Sequence, residues 1–283
     1  VGVRIVTDST AYLKKELLEK YDITVVPLTV NFSDISFPEN EISNEDFYEM
    51  MDKSEKVPTS SQPSPHNLKE AFRRIVGEGH DVVGIFISSV LSGTYNAALT
   101  AKTMVLDEYP EAVIEIIDSK VTTMQMGYAV LAAARAAARG AGWQEAADAA
   151  REVNKKSRLL FVPKTLEYLR KGGRIGEASA LIGTLLQIKP ILTLVDGRVT
   201  VLDKVRTMEK AWKRILELFW EDVKQRGIGE VTVHHINCED QVREIAAELE
   251  AGLGIKVPTH PIGPVIGIHA GPGTLGIAYY TRE

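Results

Sequence analysis

Three apolar runs in the first half of the chain end in the same way. VRIVTDST (3–10), DVVGIFISS (81–89) and AVIEIIDS (112–119) each run out into Asp, Ser or Thr and then hand over to a helical pattern. Short continuous apolar runs bounded by polar turn residues suit strands buried on both faces. Separated by helix-length segments, they read as βαβ units and commit the chain to a parallel sheet. Open parallel sheets bind ligands beyond the carboxyl ends of their strands. The polar ends of these runs therefore fall where a ligand would sit, although Ser, Thr and Asp there also serve as ordinary helix caps.

The segments between them fit this plan. AYLKKELLEKY (11–21) has a helical pattern, and ITVVPLTVNF (23–32) is β-rich with a bend or edge signalled by Pro27. SNEDFYEMMDKS (43–54) reads as a helix capped by Ser43 or Asn44. PTSSQPSPHNLKEAFRRIV (58–76) opens as a hydroxyl- and proline-rich loop and becomes a helix near Pro65. Further helices are expected over 94–107, 122–140 and 143–156.

The second half reads differently. ILTLVDGRVTVLDKV (191–205) holds Asp196-Gly197 between two β-rich runs, a hairpin signal. Helices at 207–226 and 239–252 and strands at 230–236 and 273–281 complete an antiparallel, α+β pattern. The expected architecture is α/β in two domains: a parallel-sheet α/β domain over 1–157 and an α+β domain over 158–283.

Composition narrows the function. The formal net charge is −5 and no Lys/Arg tract stands out, which argues against a nucleic-acid surface. The one cysteine, Cys238, excludes an internal disulfide and a Cys-rich metal site, and it fits a reducing cytoplasm. The alanine-rich stretch 129–138 is short and contains Arg135, so no stable membrane insertion is expected. VGVRIVTDST reads as a strand and turn, not as a secretory leader. His234 and His235 are neighbours in a strand and face opposite ways, so they do not share a metal.

Four stretches can carry chemistry. TSSQPS places Thr59, Ser60, Ser61 and Ser64 in one loop, donors and acceptors suited to carboxylate or phosphate oxygens. In SGTYNAA, Ser92 and Thr94 stand at a helix start, where the dipole favours an anion, and Gly93 permits close backbone approach. That motif is neither a phosphate-binding loop, because no Lys follows, nor a nucleophile elbow, because no glycines flank the serine. YLRKGGRI (168–175) gathers Arg170, Lys171 and Arg174 at a glycine-terminated helix, either solvated charge or an anion clamp. PIGPVIGIHAGPGTLG (261–276) sets His269 among glycines and prolines that demand unusual backbone.

TDST, TSSQPS, SSVLSGTYNAA, YLRKGGRI and IGPVIGIHAGPGTLG, in this order and spacing, resemble the DegV family from Val3 to Tyr280. The resemblance implies a bacterial, cytoplasmic protein of two domains with a ligand tunnel between them for a long-chain fatty acid. The first domain would carry the head-group loops and the second would cover the acyl chain. It implies a non-catalytic role as the binding subunit of a fatty acid kinase, whose separate catalytic subunit makes the acyl phosphate for phospholipid synthesis. It assigns the carboxylate to Ser92 of the SGT motif, with Gly93 and Thr94, assisted by Ser60. The family usually has threonine at that position, and Thr59 is the neighbouring candidate. His269 would lie near the carboxylate, and Arg174 at the entrance and kinase-facing surface. ALIGTLLQIKPILTL (180–194) is apolar enough to line a tunnel or to be plain core. No cofactor or metal is implied; ATP and Mg²⁺ would belong to the partner. The rival reading is a serine hydrolase of lipid esters, with Ser92 as nucleophile, His269 as base and Asp8 or Asp118 as orienter.

Overall fold

Each of the three polar-ended runs forms a strand. The computed structural model describes residues 2–183 and 188–283, so part of the expected tunnel segment, 184–187, lies outside the described residues. In chain order the strands are β1 (Val3–Asp8), β2 (Thr24–Val26), β3 (Thr29–Asn31), β4 (Ser36–Pro38), β5 (Thr59–Ser61), β6 (Asp81–Phe86), β7 (Ile114–Asp118), β8 (Ser157–Val162), β9 (Lys189–Val195), β10 (Arg198–Val205), β11 (Ile228–His235), β12 (Thr259–Pro261) and β13 (Leu275–Thr281). The α-helices are α1 (Lys15–Lys20), α2 (Asn44–Lys53), α3 (Pro65–Gly77), α4 (Thr94–Leu106), α5 (Thr123–Ala138), α6 (Trp143–Lys156), α7 (Glu167–Lys171), α8 (Met208–Arg226), α9 (Glu239–Leu253) and α10 (Pro264–Ala270).

By internal contact the chain groups into two units. The first comprises Val1–Val30, Ser36–Asn40 and Ser60–Lys155; the second comprises Asn31–Ile35, Glu41–Thr59 and Lys156–Glu283.

The first unit is built on a parallel sheet of order β2-β1-β6-β7. The chain leaves β1 toward β2 on one side and later returns to β6 on the other. The β1/β6 junction is therefore the topological switch point, where open α/β sheets leave a crevice at the strand ends. One face is packed by α3 and α4, whose Leu68, Phe72, Ala97, Ala98 and Ala101 join Val6, Val82 and Phe86 in one core. Alanines on α4 let α3 approach closely, and α3 carries the hydroxyl loop that precedes it.

The second unit has a six-stranded sheet of order β10-β9-β8-β13-β11-β12, antiparallel apart from the β11/β12 edge. Asp196-Gly197 makes the β9/β10 hairpin, with Val195 paired to Arg198. Helices α8 and α9 bring Ala211, Ile215, Phe219, Val242, Ala246 and Leu249 onto the sheet. Within this core Asp222 Oδ2 accepts from Tyr279 Oη at 2.6 Å and from Arg158 Nη1 at 2.5 Å, so the buried carboxylate has both a hydroxyl and a cation as partners.

Local chemistry moves several boundaries. Pro27 has no N–H and splits the 23–32 run into β2 and β3. The helix expected from residue 11 begins only at Lys15, because Asp8 caps a tight 3₁₀ turn at Ser9–Ala11 and Tyr12 closes it at φ 48°. The Gly/Pro-rich stretch contains the helix α10, opened by Pro264 and stopped by Gly271 at φ 83°.

Candidate functional site

In the first unit, the α4 N-terminus carries the SGT motif. Gly93 is the N-cap residue and gives no side-chain cap, so the opening amides of a 13-residue helix lack the usual acceptor. Ser92 Oγ lies 2.9 Å from Thr94 Oγ1, and Thr94 N–H donates weakly to Ser92 Oγ at 3.4 Å. Thr94 is buried and Ser92 half-buried. Of two hydroxyls joined to each other at a helix start, one spends its proton on the shared bond and the other keeps its proton for an oxyanion.

The TSSQPS loop meets this turn directly. A Cβ placed on Gly93 would fall 2.0 Å from Gln62 Oε1, so the Gln62 side chain lies over the glycine. The contact follows from the α3/α4 packing: Ser64 caps α3 by accepting from Asn67 N–H, and Pro65 opens the helix. Strand β5 alternates, turning Thr59 and Ser60 to opposite faces; Ser60 is half-buried while Thr59 and Ser61 are exposed.

Asp8 and Asp118 brace the strand ends. Asp8 is fully buried and accepts from Thr10 N–H at 2.9 Å, Thr10 Oγ1 at 2.6 Å and Ile87 N–H at 2.8 Å. It therefore ties the end of β1 to the end of β6, and burial pushes its carboxyl above the usual range despite these donors. Asp118 accepts from Ser89 N–H, Ser89 Oγ and Lys120 N–H. The donors to both carboxylates are backbone amides and hydroxyls, with no imidazole among them.

In the second unit, GGRI meets HAGPGT. A Cβ on Gly172 would fall 2.2 Å from His269 Nδ1, so the imidazole lies against that glycine. A Cβ on Gly271 would fall 2.3 Å from Tyr168 Cδ2. Helices α7 and α10 thus interlock glycine to ring in both directions. Arg174 is exposed and donates from Nη1 to Gly172 O at 2.6 Å, which caps the end of α7. Burial, and then the Arg174 charge, pull His269 down to about 4, so its imidazole is neutral at pH 7. Lys171 is paired with Glu167 at 2.8 Å, part of the solvated charge expected at this turn.

Ser92, Gly93, Thr94 and the Ser60 loop are therefore gathered in one unit, and His269 and Arg174 in the other. Sequence reasoning missed Gln62, and it read Gly172 as the end of a helix, which it is, without its contact to His269. It also missed Tyr48, whose Oη lies 2.1 Å from where a Gly267 Cβ would be. The glycines were the available signal, since each leaves room that a neighbour fills. Among the described residues no cluster of three or more His, Cys, Asp or Glu could hold a metal ion, and no helix is long and apolar enough to cross a membrane.

A family model described as DegV family matches residues 2–282. A DegV domain-containing protein of Clostridium acetobutylicum is 46% identical over 283 residues, covering 100% of this chain and 99% of the relative. Among solved structures, a stearic-acid-binding protein from Eubacterium ventriosum is similar at 30% identity and a TM-score of 0.89, covering 98% of each chain. DegV of Bacillus subtilis, described as a fatty acid binding protein, is similar at 34% identity and a TM-score of 0.89, covering 99% of each chain.

Proposed function

The chain belongs to the DegV family, and from that premise we propose that it binds a long-chain fatty acid and presents the carboxylate to a separate kinase subunit. The observation that carries the reading is the Ser92–Thr94 hydroxyl pair at the uncapped start of α4. A carboxylate is costly to bury unless hydrogen-bonded, and this turn offers hydroxyl and amide donors together. The proposed ligand set is Ser92, Gly93, Thr94, Ser60, Thr59, His269 and Arg174. Between the two β5 hydroxyls, Ser60 is favoured because it is the partly enclosed one.

The tail supplies most of the affinity. Each buried methylene contributes about 0.8 kcal/mol, so a long acyl chain binds firmly with a modest head site. Fatty acid binding by the Eubacterium ventriosum and Bacillus subtilis proteins supports the same ligand class here.

In this reading the chain is not the catalyst. Its setting is the cytoplasm, and the kinase subunit supplies ATP and Mg²⁺ and makes the acyl phosphate. Phosphoryl transfer depends on positioning and charge neutralisation. This chain's share is to hold the carboxylate still, with Arg174 meeting the charge and the neutral His269 imidazole offering a ring N–H. The hydrolase alternative lacks support at its third member, because Asp8 and Asp118 are engaged elsewhere.

Organic extraction of the natively purified protein, followed by mass spectrometry, tests the ligand class; a near-stoichiometric long-chain fatty acid is expected. Ser92→Ala should weaken binding in a direct titration by about 1–3 kcal/mol, the effect of leaving a charged acceptor one bond short. An empty extract from protein that also refuses added fatty acid would overturn the reading.

A further inference from the structure

Helix α10 carries His269 and is held from two sides within the second unit. On one side stands α2, whose cap Ser43 accepts from Asp46 N–H and fixes where that helix starts. Asn44 and Tyr48 follow one turn apart, so they share a face of α2. Asn44 Nδ2 donates to Ile262 O at 3.1 Å, just ahead of α10. Tyr48 is 2% exposed, and its ring meets Phe47 edge-on with centroids 5.0 Å apart. Its Oη lies 2.1 Å from where a Gly267 Cβ would be, and its Cζ lies 3.0 Å away. The phenol therefore rests on the backbone of α10 at the middle of the helix. Gly267 is helical and is not among the glycines of positive φ, so its backbone does not demand a glycine. The nearness of the phenol does.

On the other side stands α7. His269 follows Gly267 by two residues, which turns it about 200° around the helix. That rotation carries the imidazole away from Tyr48 and onto Gly172, where Nδ1 lies 2.2 Å from the position of an added Cβ. Tyr168 of α7 fills the space over Gly271, directly after α10. The seven residues of α10 thus form a wedge with one face on α2 and the other on α7. Close-packed interiors transmit strain, so pressure on the Gly267 face reaches the His269 face.

We propose that Tyr48 is a positioning residue: it sets the rotation of α10, and through it the place of the His269 imidazole at the bound carboxylate. This rests on the fatty-acid reading above and deepens it.

The test makes two measurements on the full chain. One is a stearic acid titration. The other is an NMR pH titration of the His269 ring, assigned by its loss in His269→Gln. Gly267→Ala drives the phenol and α10 apart. It should weaken stearic acid binding by about tenfold. It should also raise the His269 midpoint from about 4 toward 6.5, as the ring leaves its enclosed place. In a Tyr48→Phe background the crowding oxygen is gone, and Gly267→Ala should then change affinity by less than about twofold. An equal loss in both backgrounds would overturn Tyr48 as the cause. A loss of affinity with the His269 midpoint unmoved would overturn positioning and leave a packing role. Tyr48→Leu takes the brace away and should produce the same two changes, which keeps the test decisive where Gly267→Ala does not fold. Stearic acid bound equally by the wild type and by Gly267→Ala would overturn this role alone. A wild type that takes no stearic acid would overturn the fatty-acid reading and this role together.

Discussion

Gly172→Ala adds one methyl group and removes nothing, yet it should disturb both stability and ligand binding. The new Cβ would lie 2.2 Å from His269 Nδ1, 3.1 Å from His269 Cε1 and 3.2 Å from Tyr168 O. Ordinary contact begins near 3.4 Å, so the ring must retreat by about 1 Å. Gly172 has φ −75°, which alanine adopts freely, so backbone strain plays no part. The half-buried ring has little room on this side, because its Nδ1 lies directly against Gly172 at the α7/α10 contact. Overpacking of this kind costs about 1–3 kcal/mol, or roughly 2–4 °C of melting temperature per kcal/mol in a chain of this size. Urea denaturation of a four-member cycle isolates the cause. With His269→Ala in place the clash has no partner, and Gly172→Ala should then cost less than about 0.5 kcal/mol. If His269 belongs to the ligand set, Gly172→Ala alone should also weaken stearic acid binding by about tenfold, or 1.4 kcal/mol. An equal stability cost in both backgrounds would refute the imidazole contact as the reason for the glycine.

Asp8→Asn keeps the shape but turns an amide donor toward either Ile87 N–H or the Thr10 donors; a loss of about 1–3 kcal/mol is expected in urea denaturation, and an unchanged midpoint would contradict the bracing role. Acid should destabilise the protein through His269. Its folded value near 4 lies below the ordinary 6.5, so the unfolded chain alone takes up a proton as pH falls from about 6.5 to about 4, and stability is lost across that window. The full difference approaches about 3 kcal/mol, and His269→Gln should flatten that part of a stability–pH curve measured by calorimetry. His234, pulled down to about 3 by burial, adds loss in the same direction and remains in the variant as an internal reference.

What can be read from such a sequence depends on whether the cause is local. The parallel strands β1, β6 and β7 are legible because burial on both faces writes a continuous apolar run. The Asp196-Gly197 hairpin is legible because its turn needs residues that tolerate positive φ, and both have it. The shortened first helix is less so, because it depends on where the Asp8 side chain finds its donors, and one of these lies across the sheet at Ile87. The site divides in the same way. Hydroxyls before a helix identify Ser92 and Thr94, but nothing near Gly93 names Gln62, and nothing near Gly172 names His269. A glycine records that a neighbour needs the space without recording which. Thr122 and Thr123 are the extreme case. Threonine before a helix reads as a cap, and only the folded chain reveals that these two cap nothing. Function is thus best sought where a residue suited to a local task is found not performing it. In this chain that criterion selects the start of α4, where Gly93 stands at the N-cap and caps nothing.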